Sequence, residues 1–179
     1  MSKTEQAAVK TREAKPETLP QPRASSKGQA IFIVDRSKPF DAARLTGRDW
    51  SIVEEDQRAL DLPEVDFSKV RFESGLKENE SVITGEMKLK NLRDRTEIRL
   101  DAKFGQDLYE EEDQETLRWL YDTYGVRWFE CAGTVLQHGS DLDRSFLCLY
   151  RQVDGSWLRG VFWLRNGRDR ENVSPLLAP

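Results

Sequence analysis

The sequence predicts an α+β fold, in which an antiparallel sheet dominated by a C-terminal β-meander packs against two or three helices. Three observations predict it. Stretches of helical period fill the middle of the chain, stretches of alternating period fill its last third, and an Asp-Gly pair separates the last two of those. With 179 residues, 37% of them apolar and 34% charged, the chain has the size of one domain. Five Trp, eight Phe and four Tyr can fill a core despite a mean hydropathy of -0.71.

Residues 1–28 carry six Lys/Arg against three Glu, while the rest carries 22 positive and 29 negative side chains. This basic segment holds Pro16, Pro20, Pro22 and Gly28 and no aromatic residue, so it reads as a disordered leader to a single domain over residues 29–179. Ala30 to Val34 form a short β-branched and aromatic run, expected as a strand buried on both faces. Asp41 can cap one helical turn through Leu45 that Gly47 stops, and Trp50, Ile52 and Val53 follow as a strand. The acidic stretch from Glu54 to Asp66, with Pro63, reads as a loop anchored by Leu60, Leu62 and Val65. Val70 and Phe72 then alternate with charged residues, as in a half-buried strand.

Thr84 can cap a helix through Glu86, Met87, Leu89 and Leu92, with Lys88, Lys90 and Arg93 toward its C-terminal end. Asp101 can cap a second, Ala102 to Glu110, that buries Phe104 and Leu108. A third places Leu117, Leu120, Tyr121 and Tyr124 on one face and ends at Gly125. The run from Glu110 to Asp113 does not read as a cation site, because consecutive residues on a helix point in different directions.

Three meander strands are expected at about 127–136, 145–152 and 156–165. Taking Asp154-Gly155 as a two-residue type I′ loop pairs Tyr150 with Arg159, Cys148 with Val161 and Phe146 with Trp163. That register puts Leu147, Leu149, Leu158, Phe162 and Leu164 on a buried face. It gathers Phe146, Tyr150, Gln152, Trp157, Arg159, Trp163 and Arg165 on the other. Trp, Tyr and Arg dominate binding hot spots, so Tyr150, Gln152, Trp157, Arg159, Trp163 and Arg165 are the expected partner-binding residues of a non-enzymatic protein-binding module. The same face offers a stacking platform for single-stranded nucleic acid, but the net acidic body supplies little attraction for phosphates.

Catalysis has one place to sit, the turn from His138 through Ser140, Asp141 and Asp143, a second alternative that implies a hydrolase. Cys131 and Cys148 lie mid-strand, too far from His138 for a nucleophile pair or a zinc site, and no cofactor motif is present. Asn172-Val173-Ser174 matches a glycosylation acceptor by chance. No stretch approaches the roughly 20 apolar residues of a membrane span, and the cytoplasm is the expected compartment. Three segments, Glu54 to Lys69, Ile83 to Ala102 and Ala132 to Leu136 with the Trp-bearing hairpin, resemble a group of uncharacterised bacterial proteins. The resemblance implies a small bacterial cytoplasmic domain and brings no activity, ligand or catalytic residue with it.

Overall fold

A computed structural model describes residues 31–45, 49–139 and 143–179. The expected leader, the stop at Gly47, and Ser140 and Asp141 of the turn lie outside the described residues. Along the chain the elements are β1 (Ile31–Ile33), β2 (Trp50–Glu55), α1 (Gln57–Leu60), β3 (Glu64–Asp66), β4 (Val70–Glu73), β5 (Ile83–Thr84), α2 (Gly85–Arg93), β6 (Ile98–Arg99), α3 (Ala102–Glu110) and α4 (Glu115–Tyr124). They continue with β7 (Trp128–Glu130), β8 (Thr134–His138), β9 (Arg144–Arg151), β10 (Trp157–Trp163), β11 (Gly167–Arg168) and β12 (Ser174–Leu177). The arrangement is α+β with antiparallel strand pairing in every named sheet.

Local side-chain chemistry sets the helix starts. Thr84 Oγ1 accepts from the Met87 N–H at 3.2 Å, Asp101 Oδ1 from Phe104 at 3.0 Å, and Asp41 Oδ1 from Ala43 at 3.0 Å. Asp41 caps a 3-10 turn over Ala42–Arg44. Glu111 replaces a conventional cap for α4, its two oxygens accepting from the Thr116 N–H and hydroxyl at 2.7 Å each. Gly125 closes α4 at φ 69°, a left-handed position that suits glycine.

The main sheet runs β10-β9-β8-β2, with β7 beside β8 on the same edge of β9. The expected first meander strand is thus two strands. Between them Cys131–Gly133 turns in so that the Gly133 N–H meets the Leu100 carbonyl at 2.9 Å, where a Cβ would stand 2.2 Å from the Arg99 carbonyl oxygen. Helices cover the sheet on both faces. α3 and α4 bring Phe104, Leu108, Leu117 and Leu120 to a core shared with Leu136, Leu147 and Leu149, and α2 brings Leu89 and Leu92 to a second core with Val135, Phe146 and Leu164.

Two expectations are corrected in the N-terminal part, and the C-terminal strand is an element the sequence reading did not place. β1 pairs only with β3 and exposes Ile31 and Ile33, burying Phe32 alone, because a two-stranded ribbon has one covered face. The stretch from Glu54 to Asp66 is structured: Asp56 caps α1, and Val65 buries in β3 opposite Phe32. The strand β12, for which the sequence offers no alternation, lies centrally between β4 and β6.

The hairpin register is also corrected. β9 and β10 pair Arg151 with Trp157, Tyr150 with Leu158, Cys148 with Gly160 and Phe146 with Phe162, one residue from the expected pairing. The loop is the three-residue Val153-Asp154-Gly155. The Gly155 N–H closes a turn on the Gln152 carbonyl at 3.1 Å, Gly155 takes φ 93°, and the Gln152 N–H meets the Ser156 carbonyl at 2.7 Å. Since side chains alternate with period two, this slip moves Trp157, Arg159, Val161 and Trp163 to the side of Leu147 and Leu149, the face that bears the main core.

A buried ionic triad binds the C-terminal segment to the sheet. Glu130, Lys88 and Arg168 are all fully buried; Lys88 Nζ donates to Glu130 Oε2 and Arg168 Nε to Oε1, both at 2.9 Å. Lys88 Nζ also donates to the Asn172 carbonyl at 2.6 Å, and the Arg168 guanidinium donates to the carbonyls of Trp163, Asn166 and Phe162. Lys88 therefore belongs to the inward stripe of α2 with Gly85, Leu89 and Leu92, and does not serve as a solvent-facing cation near the helix C-terminus. Burial holds the Lys88 ammonium below its ordinary pKa despite the adjacent Glu130 carboxylate.

Candidate functional site

The six residues expected on one face divide among five environments. Trp157 is 3% exposed and packs in the main core against Phe129, ring centres 6.2 Å apart. Arg159 lies over the Tyr109 ring at 5.0 Å, pairs with Glu110 at 3.3 Å and donates to the Arg44 carbonyl at 3.0 Å. Tyr150 is on the opposite face, stacked on Trp128 at 5.0 Å and 24°. Gln152 is exposed at the hairpin tip. Trp163 and Arg165 remain near one another at the far end of β10, the Arg165 guanidinium 5.6 Å from the Trp163 ring. The one-residue register change accounts for this division, because it carries Trp157 into the main core and Arg159 against α3 while leaving Tyr150 behind.

At that far end the strand ends converge on a cluster the sequence did not single out. Trp50 opens β2 and pairs with His138 at the end of β8, their ring centres 4.8 Å apart. Trp163 stacks on Trp50 at 5.6 Å with an interplanar angle of 26°, and meets His138 edge-on at 6.4 Å. Arg165 is ion-paired with Asp143 and its side chain is 64% exposed. β2 is an edge strand of the main sheet with a bulge between Ile52 and Glu54, and Ser51, Ile52 and Val53 are all exposed. Ile52 is 41% and Val53 45% exposed, an apolar pair continuing from the Trp50–Trp163 stack. Across the outer edge of β2, Ser51 to Glu55 form no backbone hydrogen bond with another described residue, and the turn Ala42–Arg44 lies close to the strand.

A second concavity, about 720 Å³, lies between the segment Phe32–Arg44 and α3. Its charged groups are mutually engaged: Lys103 pairs with Asp107, Asp107 accepts from the Asp35 N–H, and Glu110 pairs with Arg44 at 2.8 Å. Glu110 and Glu111 are thus occupied by Arg44, Arg159 and the α4 start, and among the described residues no group of three or more His, Cys, Asp or Glu side chains is placed to hold a metal ion.

The two thiols are not placed as nucleophiles. Cys131 and Cys148 are free and buried, and burial pushes the Cys148 thiol up to about 12 and that of Cys131 well above its ordinary value. His138 spends its ring on Trp50 and Trp163. Asn172 is tied into the structure, its side-chain oxygen accepting from the Asp169 N–H at 3.1 Å, and Ser174 is fully buried. That geometry does not present a glycosylation acceptor. No helix among the described residues is long and apolar enough to cross a membrane.

Comparison with known proteins adds no kinship: no protein-family model matches the chain, and no curated protein and no solved structure matches it.

Proposed function

We propose that the protein is a non-enzymatic binding module that takes an extended segment of a partner protein along the outer edge of β2, beside the Trp50–Trp163 stack and Arg165. The observation that carries this reading is the terminal position of β2 in the main sheet together with exposed apolar side chains, Ile52 and Val53, next to two stacked indoles. An open edge offers backbone donors and acceptors for an added strand, and the apolar and aromatic side chains beside it supply burial. Trp and Arg at the centre of such a patch are the residue types that concentrate binding energy. Of the expected site residues, Trp163 and Arg165 keep this role; Trp157 and Arg159 serve the body of the protein. A cytoplasmic setting accords with two buried free thiols.

The test is selection of displayed random peptides on the immobilised protein. Extended peptides with alternating apolar residues are expected to enrich on the parent protein. Enrichment should be lost on Ile52→Glu/Val53→Lys and on Trp163→Ala proteins whose circular dichroism is unchanged. No enrichment, or equal enrichment on the edge variant, refutes the proposal. Single-stranded oligonucleotides serve as the competing ligand, and salt-sensitive quenching of tryptophan fluorescence by them in place of peptide binding would overturn it as well.

A further inference from the structure

At the opposite end of the hairpin two arginines stand opposite each other, neither of them in an ion pair with a described carboxylate. The register Trp128 with Tyr150 continues one step to Arg127 and Arg151, whose backbones are joined by the Arg151 N–H and the Arg127 carbonyl at 2.8 Å. Both guanidinium groups gather on Tyr121 of α4, Arg151 at 4.0 Å from the ring centre and Arg127 at 5.6 Å, with Arg127 donating to the Tyr121 hydroxyl at 3.3 Å.

Like charges directly opposed across an antiparallel pair are destabilising. The chain has carboxylates in excess, 32 against 28 Lys/Arg, and it supplies them to Arg36, Arg44, Arg58, Arg93, Arg99, Arg144, Arg159, Arg165 and Arg168. Among the described residues none pairs with Arg127 or Arg151. Asp154 feels the Arg151 charge without forming an ion pair with it, and its Oδ1 accepts from the Ser156 N–H and hydroxyl. Arg151 Nε is buried and has no hydrogen-bond partner. The turn also keeps space for this guanidinium: a Cβ on Gly155 would stand 2.9 Å from Arg151 Nη2.

We propose that Arg127 and Arg151, held on the Tyr121 ring, form a receptor for a doubly charged phosphate group. Two planar forks with free N–H donors match the oxygens of a tetrahedral anion, and the ring fixes them before the anion arrives. The anion would also relieve the repulsion between the two cations. The site is separate from the β2 edge and does not depend on it.

Calorimetric titration at constant ionic strength, with inorganic phosphate in one arm and O-phosphoserine in the other, tests the proposal. Saturable binding of at least one probe is expected; the tighter one tells whether the free ion or the esterified group is preferred. Arg127→Gln and Arg151→Gln should each weaken binding at least tenfold, and Arg71→Gln should leave it unchanged. Arg127 is exposed, so its variant retains the fold, and its melting temperature without anion should be no lower than that of the parent. Added phosphate should then raise the melting temperature of the parent and not that of Arg127→Gln. Absence of saturation with both probes, or an equal thermal shift in parent and variant, overturns the proposal.

Discussion

The Glu130 carboxylate is the one negative charge between two fully buried cations, so its removal and the removal of Lys88 have unequal consequences. In Glu130→Gln the pocket keeps two cations and no anion, and one of the two oxygens that accept from Lys88 and Arg168 becomes an amide donor facing a donor. Breaking a buried pair in this way costs about 3–5 kcal/mol. In Lys88→Met the Glu130–Arg168 pair stays neutral and bonded at 2.9 Å, and the loss is chiefly the donor to Glu130 Oε2 and to the Asn172 carbonyl, about 1–3 kcal/mol. Urea unfolding followed by tryptophan fluorescence separates the two. With a urea slope of about 2 kcal/mol/M, the Glu130→Gln midpoint should fall by about 2 M and the Lys88→Met midpoint by about half that. If Lys88→Met proves the more damaging, or Glu130→Gln costs less than about 1 kcal/mol, charge balance does not govern this site.

Two further outcomes are expected. Trp157→Ala should lose about 3–5 kcal/mol in the same assay because it empties a core position, while Arg165→Ala should stay within about 0.5 kcal/mol; similar losses in both would contradict the placement of Trp157 in the main core. The lowered pKa of Lys88 has a definite sign: the unfolded chain holds that proton to higher pH than the folded one, so above the depressed value and up to the ordinary 10.5 the fold gains stability as pH rises. The stability difference between parent and Lys88→Met, measured by urea unfolding at increasing pH, should therefore move in favour of the parent as pH rises toward 10.5. A difference that is flat across this range, or moves the other way, would contradict it.

Elements specified by near neighbours were legible in the sequence. The caps at Asp41, Thr84 and Asp101 and the glycine stop at Gly125 are bonds within a few residues, and each is present. The hairpin register was not legible, because Asp154-Gly155 serves a two-residue loop and a three-residue loop equally well and both faces of β10 are apolar or aromatic. Leu158 and Phe162 lie on one, Trp157, Val161 and Trp163 on the other. Binary pattern decides a register only when one face is polar. β12 was hidden by Pro175, which argues against a central strand; β6 pairs only with Leu176 and Leu177 beyond it, and the Pro175 carbonyl still accepts from Leu100 at 3.2 Å. For the site, Trp50 was read only as a strand residue, since its approach to Trp163 joins distant parts of the chain. Lys88 did carry a signal: it falls on the same helical stripe as Leu89 and Leu92.

The central position of β12 sets the order in which this protein is finished. β4 and β6 leave the ribosome early, yet the strand that joins them is made only after all the other strands. Until then both wait with unmatched edges in the nascent chain, exposed to any other extended polypeptide nearby, which makes rapid delivery of residues 174–177 a requirement for clean maturation.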